Sequence, residues 1–225
     1  MRLRATLLAI LLALFVILGI APLERDTWAV ENALFVAALV VLLATRRALP
    51  LTDLSVWLVF VFLVLHEVGA HYTYSLVPYD RWFQAVTGRT LNSILGFERN
   101  HYDRLVHCAF GLLLAVPMRE LFLRVADARG FVSYWLPVQM TLSFSALYEL
   151  LEWAAAEVFG GDLGTAYLGT QGDEWDAQKD MGLAALGALC AMGTLAAFQR
   201  ARGADLQRRA LEQNIRALAA RRAAS

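Results

Sequence analysis

The chain has 225 residues, 59% of them hydrophobic, and a mean hydropathy of +0.51. That composition excludes an ordinary soluble domain and points to an integral membrane protein. The formal net charge is zero, so no bulk attraction to nucleic acid is implied. The two cysteines, Cys108 and Cys190, sit inside apolar runs and read as small core residues, not as a disulfide or a thiolate metal site.

The first element is MRLR followed by ATLLAILLALFVILGIA, which has the look of a signal peptide with Gly19-Ile20-Ala21 as a loose cleavage site. Pro22 directly after it disfavours cleavage and the run is long enough to span, so an uncleaved first helix is expected. Six segments approach the span length of about 20 apolar residues, at 5–22, 28–44, 54–76, 103–124, 132–157 and 177–199. Pro117 and Pro137 fall within or near spans four and five, where they can kink a helix. The expected fold is all-α, a polytopic membrane helical bundle of about six transmembrane helices. Residues 1–202 form the membrane domain, with a polar site built from spans three to six (54–199). Residues 203–225 form a basic cytoplasmic tail.

The connector VPYDRWFQAVTGRTLNSILGFERN (77–100) carries Trp82 and Phe83, which suit an amphipathic half-helix at the interface. It is either a lid over the site or a solvated connector. GDLGTAYLGTQGDEWD is glycine-rich but lacks the lysine and the spacing of a phosphate-binding loop. Tyr167 and Trp175 suit the membrane interface. From Gln199 onward the chain holds seven arginines and two acids, with Asp205–Arg209 and Glu212–Arg216 at i, i+4 and a partial apolar stripe of Leu206, Ile215 and Leu218. That tail reads as a basic helix drawn to anionic lipid or as a solvated orientation signal.

Arginine and lysine in short loops set orientation. With the N-terminus inside, the cytoplasmic side receives Arg2, Arg4, Arg46, Arg47, Arg119, Arg124, Arg129 and the tail arginines. The outer side receives Arg25, Arg81, Arg89, Arg99, Arg104 and Lys179. The bias favours both termini on the cytoplasmic side, although the 77–100 loop weakens it.

All four histidines lie in or beside these spans, each with acidic company: His66 and His71 in FLVLHEVGAHYTY, His101 and His107 in ERNHYDRLVHCAF. Ionisable groups are costly in lipid and mark functional sites by default. Glu67 and His71 are four apart, as are Asp103 and His107; Glu149 and Glu152 are three apart; Asp173, Asp176 and Asp180 fall at i, i+3 and i+7. Such spacings aim two groups from each helix at one interior point, as bundle metal sites do. Span order puts His71, Asp103, His107, the Glu149/Glu152/Glu157 group and the three aspartates at the same outer face. His66 is about 140° around the helix from His71, so those two do not share an ion. HExxxH is one residue too long for the zinc-peptidase motif.

The expected ligands are His71, Asp103, His107, Asp176 and Asp180, with Glu152 and Asp173 as further candidates. Glu67 or Glu149 is the candidate general base. Mixed oxygen and nitrogen ligands suit zinc first, and also iron or manganese. The other reading is a metal-free polar network, with Arg99 and Arg104 pairing the acids.

The strings HEVGAHYTYSLVP, RNHYDRLVH, YELLEW and LGTQGDEWDAQKDM resemble the YjdF-like family of bacterial inner-membrane proteins over roughly residues 50–195. The resemblance implies a multi-span inner-membrane protein and adds weight to these polar positions, but brings no activity with it. The functions in view are a metal-dependent membrane hydrolase acting on a lipid or amphiphile, a metal-ion or proton transporter, and a structural subunit of the membrane. The bilayer is the expected partner; against transport, the inner halves of spans three to six are largely apolar.

Overall fold

The computed structural model describes residues 2–159, 170–203, 205, 208, 209, 212, 213 and 216. Expectations resting on Tyr167, Leu206, Ile215 and Leu218 lie outside the described residues. The described residues form helices and connecting turns without strands. The helices are α1 (Arg2–Gly19), α2 (Arg25–Thr45), α3 (Asp53–His71), α4 (Tyr79–Thr87), α5 (Leu91–Leu95), α6 (Tyr102–Val125), α7 (Val132–Phe159) and α8 (Asp176–Ala201).

Five helices, α1, α2, α3, α6 and α8, are long and apolar enough to cross a membrane, rather than the six expected. The helix that falls short is α7, although its 28 residues are ample in length. Its faces explain the difference. Ser133, Thr141, Ser145 and Glu152 are buried on one side, while Trp135, Phe144, Leu147, Leu150 and Trp153 are exposed on the other. Averaged along the chain, the inward polar face cancels the outward apolar one, which a hydropathy sum cannot separate. Pro117 and Pro137 both lie inside their helices.

Helix α6 is the hub, packing on α8, α7 and α3, while α1 and α2 pack on α3. Ala115, Val116, Val138, Ala188, Ala191 and Met192 form the core shared by α6, α7 and α8. Leu11, Phe35 and Leu63 tie α1, α2 and α3 together. Within lipid there is no hydrophobic drive between helices, so close approach through small residues decides which helices pair. Here α6 and α8 meet at two glycines. A methyl group on Gly187 would lie 2.2 Å from the Cys108 carbonyl oxygen, so only glycine fits.

Polar contacts define the two ends of the bundle. At one end, Arg4 donates to the Leu51 carbonyl (2.6 Å) and pairs with Asp53 (3.1 Å). There the Thr52 amide donates to Glu120 (2.9 Å), and fully buried Arg119 reaches Ser133 (3.2 Å) and Asp205 (2.5 Å). The starts of α1, α3 and α7 and the ends of α6 and α8 therefore share this end. At the opposite end, the Leu23 amide donates to the His71 carbonyl (2.9 Å), and Arg99 donates to Asp176. Helix α7 thus runs antiparallel to α6 and α8 along the bundle. It carries its acids to the end where α6 and α8 begin.

Candidate metal centre

The site is made where the first turns of α6 and α8 meet the later turns of α7. Asp103 and His107 are one turn apart on α6, Asp176 and Asp180 one turn apart on α8, and Ser145, Glu149 and Glu152 follow the inward face of α7. Asp103, His107 and Asp180 each offer a ligand atom, and these atoms all lie within 4.8 Å of one another. His107 Nε2 is 3.7 Å from Asp103 Oδ1 and 3.4 Å from Glu149 Oε1. Its other nitrogen, Nδ1, meets the Ser145 hydroxyl at 3.4 Å. A contact of that kind on the far nitrogen is what fixes the ring of a ligating histidine. The Tyr148 ring closes on the imidazole edge-on at 5.9 Å.

A cavity of about 480 Å³ opens beside this group. Its polar lining is Asp103, Glu149, Glu152, Asp176, Asp180, Thr170 and Gln178; its apolar lining includes Ala146, Leu150, Trp153 and Met181. His107, Glu152, Asp176 and Asp180 are buried. Glu149 Oε1 and Asp180 Oδ1 are buried atoms without a hydrogen-bond partner among the described residues.

The acids divide into two sets. Asp173 and Asp176 are matched by cations: Arg104 lies 2.5 Å from Asp173 and 3.0 Å from Asp176, Lys179 lies 2.6 Å from Asp173, and Arg99 pairs with both aspartates. Asp173, which precedes α8, is held well below the usual carboxylate range, first by the Lys179 hydrogen bond and then by the Trp175 amide and Arg104. His101, just before α6, is lowered from its ordinary 6.5 by burial and then by the charges of Arg104 and Arg99. It stacks on Phe97 at 4.1 Å, and its Nδ1 lies 3.5 Å from Arg104. The second set is Asp103, Glu149, Glu152 and Asp180, with which no arginine or lysine among the described residues forms an ion pair. Two unit charges 4 Å apart repel by about 4 kcal/mol at an effective dielectric constant near 20. A divalent cation would remove that conflict.

Several expected site residues are placed elsewhere. His71 does not join the group; its Nδ1 lies 2.8 Å from the Leu18 carbonyl oxygen, tying α3 to the end of α1. Asp173 is not part of the cavity wall and lies in its ion pairs with Arg104 and Lys179. Glu67 is fully buried on α3, with neither oxygen hydrogen-bonded among the described residues, and is not part of the cavity wall. Glu157 is exposed. His66 is separate from His71, stacked on Phe35 and 2.5 Å from the Tyr74 hydroxyl. The connector makes two short helices, α4 and α5; Trp82 and Val86 of α4 are exposed.

Sequence reasoning missed Glu31, Tyr148 and Ser145. Glu31 is buried in α2 and accepts a hydrogen bond from the Tyr148 hydroxyl at 2.7 Å. The signal was present: a lone acid in the apolar run AVENALFV is itself a functional-site hypothesis.

The architecture defines an integral membrane helical bundle with an acid–histidine pocket near one end. The chain belongs to the family described as predicted membrane protein (DUF2238), which matches residues 3–201. It is 40% identical over 182 residues to the inner membrane protein YjdF of Escherichia coli (strain K12), covering 80% of this chain and 82% of that protein. No solved structure matches the chain.

Proposed function

We propose that this is a bacterial inner-membrane protein whose pocket holds a divalent metal ion, zinc in the first instance with iron or manganese as alternatives. The proposed activity is hydrolysis of a lipid or amphiphile. The observation that carries the reading is the convergence of Asp103, His107 and Asp180 within 4.8 Å, from two helices, in a buried place. Two carboxylates and an imidazole are a borderline-hard ligand set that suits zinc. Glu152 and Asp176 line the same cavity as further oxygen donors. Glu149, without a hydrogen bond on Oε1, is the group assigned to take a proton from an attacking water. The metal would polarise the ester or phosphoryl oxygen and lower the pKa of bound water. His71, Glu67 and Asp173 have no part in this assignment.

We infer further that the pocket faces the outside and both termini the cytoplasm. Arg2, Arg4, Arg119 and Arg124 gather at the far end of the bundle. By span order six of the twenty Lys and Arg residues, Arg25, Arg81, Arg89, Arg99, Arg104 and Lys179, fall on the pocket side and fourteen on the far side, so the cationic bias favours the far end as the cytoplasmic one. Reporter enzymes fused after Val86 and after the last residue test this; a cytoplasmic signal from the first overturns it.

The test of the metal is elemental analysis of protein purified in mild detergent without added metal. One zinc ion per chain is expected, and it should be lost from His107→Ala and Asp180→Ala proteins that still insert. Wild-type protein without metal under any metal supply, or variants that retain it, would make the cluster a metal-free polar network.

A further inference from the structure

The cavity has an unequal wall. Asp103, Glu149 and Asp180 belong to its acidic part, here called the floor, and Ala146, Leu150 and Trp153 of α7 with Met181 of α8 to its apolar part. Leu150 and Trp153 are 59% and 58% exposed. They continue the outward apolar face of α7 set out by Trp135, Phe144 and Leu147. Toward the other end the same two helices close up. Val138 packs with Ala191 and Met192, and the Tyr134 hydroxyl donates to Gln199. The two helices are thus sealed in one half and separated by a cavity in the other. Leu150 and Trp153 belong both to the cavity wall and to the exposed apolar face of α7.

We propose that the gap between α7 and α8 is a lateral portal. It holds the hydrocarbon tail of a membrane amphiphile along Leu150, Trp153 and Met181, with the head directed to the acid–histidine floor. The role of the head rests on the metal reading above; the seating of the tail does not. The occupant follows from chemistry. Only a molecule with an apolar part and a polar or metal-seeking part satisfies both walls, since apolar surface prefers an apolar partner and buried polar groups require a polar one. A soluble polar substrate would meet the apolar side chains of Leu150, Trp153 and Met181 in the wall. A simple hydrocarbon would leave five carboxylates facing it.

The test is photocrosslinking in nanodiscs, with a lysophospholipid carrying a diazirine on its acyl chain and adducts located by mass spectrometry. Adducts should concentrate on Leu150, Trp153 and Met181 by about tenfold over Leu12 and Val41, a preference of about 1.4 kcal/mol. Leu12 and Val41 are exposed on α1 and α2 and report bulk lipid. Ala146→Trp or Ala177→Trp, at half-buried alanines of the cavity wall on α7 and α8, should abolish the preference in protein that still inserts and still binds metal. Either variant suffices if the other fails to insert. Adducts spread evenly over rim and bulk residues overturn the portal, whatever the metal content. Concentrated adducts on a protein that never binds metal support the portal and remove the hydrolytic reading instead.

Discussion

A methyl group placed on Gly111 of α6 would lie 1.9 Å from the carbonyl oxygen of Ala184 on α8. His107 is one turn before Gly111 and Asp180 one turn before Ala184. This contact therefore sets the gap across which the imidazole and the carboxylate face one another. Gly111→Ala should push the helices apart, cost about 1–3 kcal/mol as overpacking does, and lower metal occupancy through displacement of Asp180. Gly193→Ala, where nothing lies within 4 Å of the added carbon, should be neutral. Unfolding in detergent together with elemental analysis checks both; equal behaviour of the two variants would mean the helix gap has slack.

Tyr148 links α2 to the pocket through its 2.7 Å hydrogen bond to Glu31. Tyr148→Phe keeps the ring against His107 but removes the donor from a buried carboxylate. A loss of about 1–3 kcal/mol is expected. In a double-mutant cycle with Glu31→Gln the two effects should be clearly non-additive. Additive losses would show that the hydrogen bond is not made.

Acid should loosen the ion pairs that Asp173 makes just before α8. Asp173 is depressed below its ordinary 3.8 in the folded protein. A group depressed on folding stabilises above its unfolded pKa and loses that contribution as pH falls toward its folded pKa. The ion pairs of Asp173 with Arg104 and Lys179 should thus be intact at neutral pH and fail only below about pH 4. Asp173→Asn should flatten that acid limb in unfolding temperatures measured down to about pH 3, and should lower the neutral plateau toward the acid level, since the amide lacks the charge at every pH. A limb as steep in the variant as in wild type would assign the acid sensitivity to other groups.

Removing the metal should destabilise the bundle. A ligand present at about 100 times its Kd adds about 2.7 kcal/mol to stability. Adding a chelator should lower the unfolding temperature, and zinc should restore it. His107→Ala should show the lower temperature from the outset and no response to chelator. A chelator effect of equal size in that variant would place the ion elsewhere.

Much of this was legible in the chain itself. The apolar runs predicted α1, α2, α3, α6 and α8, because the cost of exposing backbone and charge to lipid is local and large. The pairs Asp103–His107, Glu149–Glu152 and Asp176–Asp180 were set by helical periodicity, which needs no knowledge of neighbours. Span order brought them to one end. What the chain could not reveal was rotation and partnership. His71 met the spacing rule but faces Leu18. Asp176 met it too, yet lies against Arg99 and Arg104, the pairing that the polar-network reading had expected, and Glu31 stood apart until α2 was laid beside Tyr148. Helix α7 fell short as an apolar span because its polar and apolar faces cancel in any average taken along the sequence. Those outcomes depend on which helix lies against which. Non-local contacts decide that, among them Gly111 on Ala184 and Gly187 on Cys108, where backbone fits against backbone from residues far apart in the chain.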